Sequence, residues 1–407
     1  MIRGIIVNRH FMYRRCEIIL AIFAALLIMY GMSAKDTRAA AAGVEPSAAA
    51  PAELATEIPD IEGLAFERQV GFSYARGIDI FCYEGGYKLF DVHGSARYLL
   101  IPEGKEVPDG LAADIRIIRG PVDHVYMAAT AVMALVRASG GLSAVRFSSL
   151  QEDGWYVEEA AELMRSGDIL YAGKYSAPDF ELLISQGCDL AVESTMILHS
   201  PKIQEMLEHL GIPVFIDRSS YEEHPLGRAE WVRVYGALFG DESAADSFFE
   251  EQEQVLADLA DYGNTGKTVA FFYISSDGSA IVRRSSDSIP KMIALAGGVY
   301  ALSDIPAASE TSHSSFSMTM EEFYAEAVDA DYLIYNSSID SPVTTMEELF
   351  EKSSLLKNFK AVREGNVWCA DRYLYQATDI TGQLIRDFHT MLTGGEEEDM
   401  MFLKKVK

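Results

Sequence analysis

Residues 241–262 read DESAADSFFEEQEQVLADLADY, a stretch without Gly or Pro. Strong helix formers dominate it, and its apolar residues recur near helical spacing, which predicts one long helix. Residues 226–239 are helical in pattern as well, with a break at Gly240-Asp241. What lies on either side gives this helix its meaning. Upstream, strand-like runs at 115–118, 144–147, 190–192 and 214–216 alternate with helix-like runs at 126–138, 157–165, 179–186 and 201–210. Downstream the alternation resumes, with strands at 269–274, 280–282, 332–335 and 367–370. The helices there are at 289–296, 320–328, 349–359 and 381–391. Such βαβα order predicts an α/β fold of two lobes, each a mostly parallel sheet flanked by helices. One long helix joins the lobes and leaves a single cleft between them, a common place for a ligand.

Further out, 78–83 and 87–92 are strand-like runs around Glu84-Gly85-Gly86, a hairpin signal, and 97–102 reads as another strand. Arg3, Arg9, Arg14 and Arg15 precede an apolar run at 18–30, and Gly31, Met32, Ser33 and Ala34 follow it. A basic segment, a short apolar run and small residues read as a secretory signal over 1–34. The run is ~13 residues against the ~20 of a membrane span; an uncleaved membrane anchor is the alternative. Cys16 lies before the apolar run and no Cys follows it closely, so no lipid-anchor signal is read. The expected organisation is then a flexible tether at 35–60, an N-terminal lobe with the added hairpin at 61–225, and a helical segment at 226–264. A C-terminal lobe at 265–395 and a frayed tail at 396–407 complete it.

The 407 residues carry a formal net charge of −27. That acidity excludes the basic footprint of a nucleic-acid binder and suits a solvated surface. Cys82, Cys188 and Cys369 are too far apart for a disulfide framework or metal cluster, and read as free, mostly buried thiols. No Gly-x-Ser-x-Gly elbow and no His-Glu-x-x-His occurs. Gly263-Asn-Thr-Gly-Lys-Thr ends like a phosphate loop but precedes a strand instead of following one. It reads as an interlobe turn, and the chain as a binder, not an enzyme. No resident cofactor is expected.

Several phrases carry a resemblance. The segments 177–192 and 203–215 each read as a helix followed by an apolar strand. Lys291 to Tyr300 passes through Ala296-Gly-Gly, Met320 to Tyr335 repeats the helix–Asp–strand unit, and Phe359 to Trp368 closes through Gly365. In this order they resemble the class III periplasmic binding proteins, which serve ABC importers of siderophores, haem and cobalamin. The hairpin at 78–101 is additional to that pattern, and Arg119 to Tyr126 differs from the family's Ser/Asn/Thr-rich turn. The resemblance implies an exported, extracytoplasmic monomer that captures an iron complex or corrinoid and hands it to a permease in the membrane. A zinc- or manganese-binding importer protein of the same plan, or a binding module outside transport, are the alternatives. The eight His are scattered, without the clustered ligands a free metal ion needs.

In such folds loops at the carboxyl ends of strands line the cleft. The expected ligand-binding residues are therefore Tyr126, Trp155, Tyr175, Tyr273, Arg283, Arg284, His313 and Tyr373. Aromatic faces pack on a bulky organic ligand, and Arg offers a planar fork to carboxylate or catecholate oxygen. The resemblance also implies one acidic residue on each lobe that meets basic residues of the permease. Glu181 and Glu321 hold those positions.

Overall fold

A computed structural model describes residues 57–239, 241–260, 262–303 and 314–407. The secretory-signal segment, most of the expected tether and His313 lie outside the described residues.

The chain first forms a five-stranded sheet, β1 (Phe66–Gln69), β2 (Ile78–Tyr83), β3 (Tyr87–Val92), β4 (Arg97–Ile101) and β5 (Ile115–Arg119), in that order. Strand alternation gives it two apolar faces. Ile78, Ile80, Phe90, Val92, Tyr98 and Leu100 face the main core of the first lobe. Phe81, Tyr83, Leu89, Leu99 and Ile101 face a smaller core closed by Ile61. The hairpin expected from sequence is thus the centre of a larger sheet. It also takes in residues 115–119, which the strand pattern had assigned to the parallel sheet. β5 pairs with β4, and nothing in the short run Ile115-Arg-Ile-Ile-Arg119 distinguishes one sheet from the other. The Tyr98 hydroxyl accepts from Ile216 N at 3.2 Å, and Lys88 donates to Ala237 O at 2.9 Å, which fastens this sheet to the lobe.

The parallel sheet of the first lobe has β6 (Val125–Met127), β7 (Val145–Ser148), β8 (Leu170–Tyr171), β9 (Leu190–Ser194) and β10 (Val214–Asp217). Their spatial order is β10-β9-β6-β7-β8, all parallel. The order reverses between β6 and β9, the kind of switch point that opens a crevice beyond the strands' carboxyl ends. α1 (Met133–Ala138), α2 (Glu158–Ser166), α3 (Phe180–Ser185) and α4 (Pro201–His209) connect these strands. The helix expected over 126–138 is strand β6 followed by a 3-10 turn and α1; three apolar residues, Val125-Tyr126-Met127, read equally as either.

After β10 the chain runs through α5 (Pro225–Glu230), α6 (Val232–Phe239) and α7 (Glu242–Leu259). α7 is the expected interlobe helix, about 27 Å long at 1.5 Å per residue. Asp241 caps it, accepting from Ala244 N at 2.9 Å. Ala245 and Phe249 lie in the first-lobe core, Leu256 touches both cores, and Leu259 lies in the second. With buried Gln252 these positions form a stripe at spacings of three and four, so one helix face serves both lobes in turn.

The second lobe has β11 (Thr268–Ile274), β12 (Ala280–Arg283), β13 (Val299–Tyr300), β14 (Ser315–Met318), β15 (Tyr332–Asn336), β16 (Val367–Ala370) and β17 (Leu403–Lys405). Its order is β14-β12-β11-β15-β16-β17, with β13 also on β11. β13, β11, β15 and β16 are mutually parallel, while β12 on β11, β14 on β12 and β17 on β16 pair antiparallel. α8 (Ser288–Leu295), α9 (Met320–Ala327), α10 (Met346–Lys352), α11 (Lys360–Glu364) and α12 (Thr381–Thr393) flank it. The tail is not frayed. Phe402 and Leu403 are buried, Phe402 N donates to Asp387 at 2.6 Å, and β17 closes the sheet edge. Cys82 and Cys369 are buried, Cys188 is half-buried, and all three are unpaired.

Candidate functional site

A cavity of about 720 Å³ lies between the lobes. Ala131 and Thr195, just beyond β6 and β9, bring the first lobe's switch point to it, and Tyr221 and Arg228 join them. From the second lobe come Arg283 and Arg284 at the end of β12, Lys291 on α8, Ser338 after β15, and Tyr375 ahead of α12. Loops beyond the carboxyl ends of β6, β9 and β15 therefore reach this cavity, as parallel topology favours, and the end of the antiparallel β12 joins them.

On the α5–α8 side of this cavity two hydrogen bonds cross the boundary. Arg228 donates to Ser288 Oγ at 2.8 Å, and Lys291 donates to Glu223 O at 2.7 Å. Beside it, the second-lobe segment before α12 grips the first lobe. Gln376, fully buried, accepts from Tyr156 N at 2.8 Å and donates to Gly154 O at 2.9 Å. The Tyr375 hydroxyl meets Thr130 Oγ1 at 3.0 Å. Arg137 on α1 pairs with the fully buried Asp379 at 2.5 Å. Burial raises the Asp379 carboxyl above its usual range, and the Arg137 charge opposes that rise.

The expected ligand residues divide sharply. Arg283 and Arg284 line the cavity. Tyr126 does not: it sits within β6, fully buried, its hydroxyl donating to Gly173 O at 2.8 Å. Trp155 is buried in the first-lobe core and donates from its indole to Ser148 Oγ at 3.0 Å. Tyr175 packs on the small core beneath α3 and α4, and Tyr273 packs along β11 on the second-lobe core. Tyr373 stacks on Phe402 at 6.0 Å, while its neighbours Leu374 and Tyr375 reach the cavity. These aromatics were placed by strand-end counting, which cannot say which way a side chain turns. Sequence reasoning missed Arg228 and Lys291, which lie on helices, not strand-end loops. Glu181 and Glu321 are exposed in the first turns of α3 and α9. Glu322 beside the latter is consumed by a capping box with Thr319.

Residues 150–374, more than half of the chain, match the family model described as periplasmic binding protein. The chain belongs to the periplasmic binding protein family. It is of the class III plan, two α/β lobes on one helix. Two uncharacterized lipoproteins of Methanocaldococcus jannaschii are related in sequence. One is 25% identical over 325 residues, spanning 75% of this chain and 74% of that protein. The other is 23% identical over 341 residues, spanning 80% and 84%. Among solved structures, a periplasmic heme binding protein from Pseudomonas aeruginosa superposes with TM-score 0.55 at 14% identity. It covers 70% of this chain and 98% of its own. A periplasmic binding protein from Veillonella parvula gives 0.52 at 16%, covering 75% and 95%. A protein of an Fe3+-hydroxamate transport system from Saccharomonospora viridis gives 0.50 at 17%, covering 67% and 93%. At such identities the likeness is one of fold. Members of this family bind small ligands outside the cytoplasm and work with a membrane permease.

Proposed function

We propose that the protein captures an iron complex, a ferric siderophore or haem, or a corrinoid in the interlobe cleft and delivers it to an ABC permease. The observation that carries this is the 720 Å³ cavity formed jointly by both lobes, where a ligand would touch each lobe at once. Tyr221 and Tyr375 supply aromatic faces there, and Arg228, Arg283 and Arg284 supply forks of donors. Two solved proteins of this fold, one a heme binding protein and one from an Fe3+-hydroxamate transport system, support the ligand class. A free-metal reading finds less support. Among the described residues the one group with metal-ligand spacing is Asp123, His124 and Asp189, and none of the three lines the cleft. The protein acts outside the cytoplasm, as a monomer, with its N-terminal segment serving for export or anchorage. No helix among the described residues is long and apolar enough to cross a membrane. Native mass spectrometry with an absorption spectrum, on protein purified from its own host, tests the ligand. Protein that carries none of these ligands and takes up none on titration would sink the proposal.

Delivery makes a separate prediction. Glu181 and Glu321 have no ion-pair partner among the described residues, and neither lines the cleft. Exposed carboxylates steer a basic partner through long-range attraction. Glu181→Lys/Glu321→Lys should bind ligand normally and fail to support uptake in cells. Docking of the wild-type protein should weaken as salt shortens the Debye length below ~8 Å. Wild-type uptake by the double variant would leave both residues as ordinary helix-start carboxylates, whose worth is roughly 0.3–1 kcal/mol.

A further inference from the structure

The cleft carries more positive charge than the chain around it. Four cations line it, Arg228, Arg283, Arg284 and Lys291, in a protein of net charge −27. Three carboxylates share the lining, Glu222, Glu223 and Asp287. Two of these have other work. Glu222 accepts from Arg76 N at 2.8 Å, Gly77 N at 2.9 Å and the Trp231 indole at 2.7 Å. Asp287 caps α8 through Ile289 N at 3.0 Å and stands 3.8 Å from Arg283. Glu223 is exposed. Behind Arg228, Asp217 is held by the Tyr235 hydroxyl at 2.6 Å and by Ser219.

The arginines, by contrast, keep donors in hand. A guanidinium has five N–H groups. The Nε atoms of Arg228 and Arg284 are both buried and find no hydrogen-bond partner among the described residues. Arg284 lies over the Phe316 ring at 5.3 Å, which steers its plane without using its hydrogens. Arg283 reaches Ser314 Oγ at 3.3 Å. Arg228 comes from the first lobe and Arg283 from the second, and their like charges oppose one another. Burial first, and Arg283 with it, works against the charge on Arg228, while Asp287 and Asp217 support it. An empty or neutral-filled cleft in this arrangement therefore holds like charges together and leaves two buried donors without acceptors, each a cost in free energy.

We propose that the ligand is an anion presenting carboxylate or catecholate oxygens, and that its charge, shared between Arg228 of the first lobe and Arg283 and Arg284 of the second, draws the lobes shut. This rests on the capture reading above and narrows it. Ferric catecholates and haem, with its propionates, carry such oxygens; neutral ferric hydroxamates and corrinoids do not. The fork geometry of Arg matches two oxygens at once, which an ammonium does not.

The test titrates the full chain by intrinsic fluorescence with four probes: a ferric tris-catecholate, haemin, a neutral ferric trihydroxamate and cyanocobalamin. At least one anionic probe should bind at least ~10-fold tighter than either neutral one, since each hydrogen bond to a charged group is worth about that or more. Its affinity should fall with rising salt. Arg228→Gln should weaken that anion about 10- to 150-fold, at least ~10-fold more than it weakens any neutral probe, with Arg228→Lys intermediate. A neutral probe that binds as tightly as the anions overturns the inference and leaves the capture reading standing; so does an equal loss for all probes in Arg228→Gln. Binding of none of the four overturns both. Should Arg228→Gln not fold, the probe ranking and salt dependence of the wild type decide alone.

Discussion

Glu193→Gln should flatten the stability of this protein between about pH 4.5 and pH 8. Glu193 is on β9, fully buried, and neither carboxylate oxygen has a hydrogen-bond partner among the described residues. Burial alone pushes its pKa from 4.5 up to about 8. The folded state thus holds this proton over a range where the unfolded chain has released it. Below pH 4.5 both states are protonated and the side chain exerts no pH dependence. Stability is then lost as pH rises through the window, and levels off above about pH 8. At 1.36 kcal/mol per pKa unit the full loss is on the order of 5 kcal/mol. An amide does not titrate, so the Gln variant loses this slope. An unpartnered amide would cost roughly 1–3 kcal/mol at every pH, which shifts the curve without tilting it. Denaturant titrations from pH 4 to pH 9 measure the two slopes. Parallel curves for wild type and variant would mean that Glu193 is solvated or paired in solution.

The second large effect concerns the clasp beside the cleft. Arg137→Ala should cost about 3–5 kcal/mol near neutral pH, because it leaves Asp379 buried without its cation. Asp379 has no exposed side-chain surface, and its second oxygen already lacks a partner among the described residues. The loss should depend on pH with a definite sign. Without Arg137 the Asp379 pKa rises further, so the variant pays least in acid, where the carboxyl is neutral, and most above pH 7. Arg137→Ala/Asp379→Asn should recover part of the loss, since no buried charge remains. Thermal unfolding of the three proteins at pH 5 and pH 8 measures this. A deficit below about 1 kcal/mol at pH 8 would class the pair with exposed ion pairs and make Gln376 the principal clasp.

The clasp and the interlobe helix together shape how the cleft can open. α7 buries one face in both lobes, and Gln252 on it accepts from Gly382 N at 3.2 Å. The segment from Tyr373 to Thr381 is tied to the first lobe by Gln376, Tyr375 and Asp379. Motion is then left chiefly to the side carrying Arg228–Ser288 and Lys291–Glu223, where two hydrogen bonds cross. Scattering with and without ligand should show a small change in size, as expected where no hinge can absorb large backbone rotation.

Much of this was legible in the residues themselves. The run at 241–262 has a single period, a capping Asp241 and no breaker, so it could form only one kind of element. The alternation on either side fixed two parallel-centred sheets, because short β-to-α loops admit little else. Arg283-Arg284 was found because it directly follows a strand, although that strand proves antiparallel and its place at the cleft was not dictated by the parallel order. What could not be read were features that depend on where elements meet. Val125-Tyr126-Met127 is too short to show a period, so a core strand was taken for a helix start; Tyr126 and Trp155 were taken for ligand residues because strand-end counting does not show which way a side chain turns. Residues 115–119 could pair in either sheet, and only the docking of β4 decided it. Leu403–Lys405 form a strand only because β16 offers an open edge and Asp387 accepts from Phe402 N just ahead of it. Arg228 lies mid-sequence in a short helix, and nothing local marks it. It becomes a cleft residue because α5 packs between the two lobes and turns its guanidinium toward Ser288. Sequence by itself determined period, order and lobe count, which are local properties repeated along the chain. Tertiary structure alone decided which side chains share the cleft, because that depends on contacts between residues far apart in sequence.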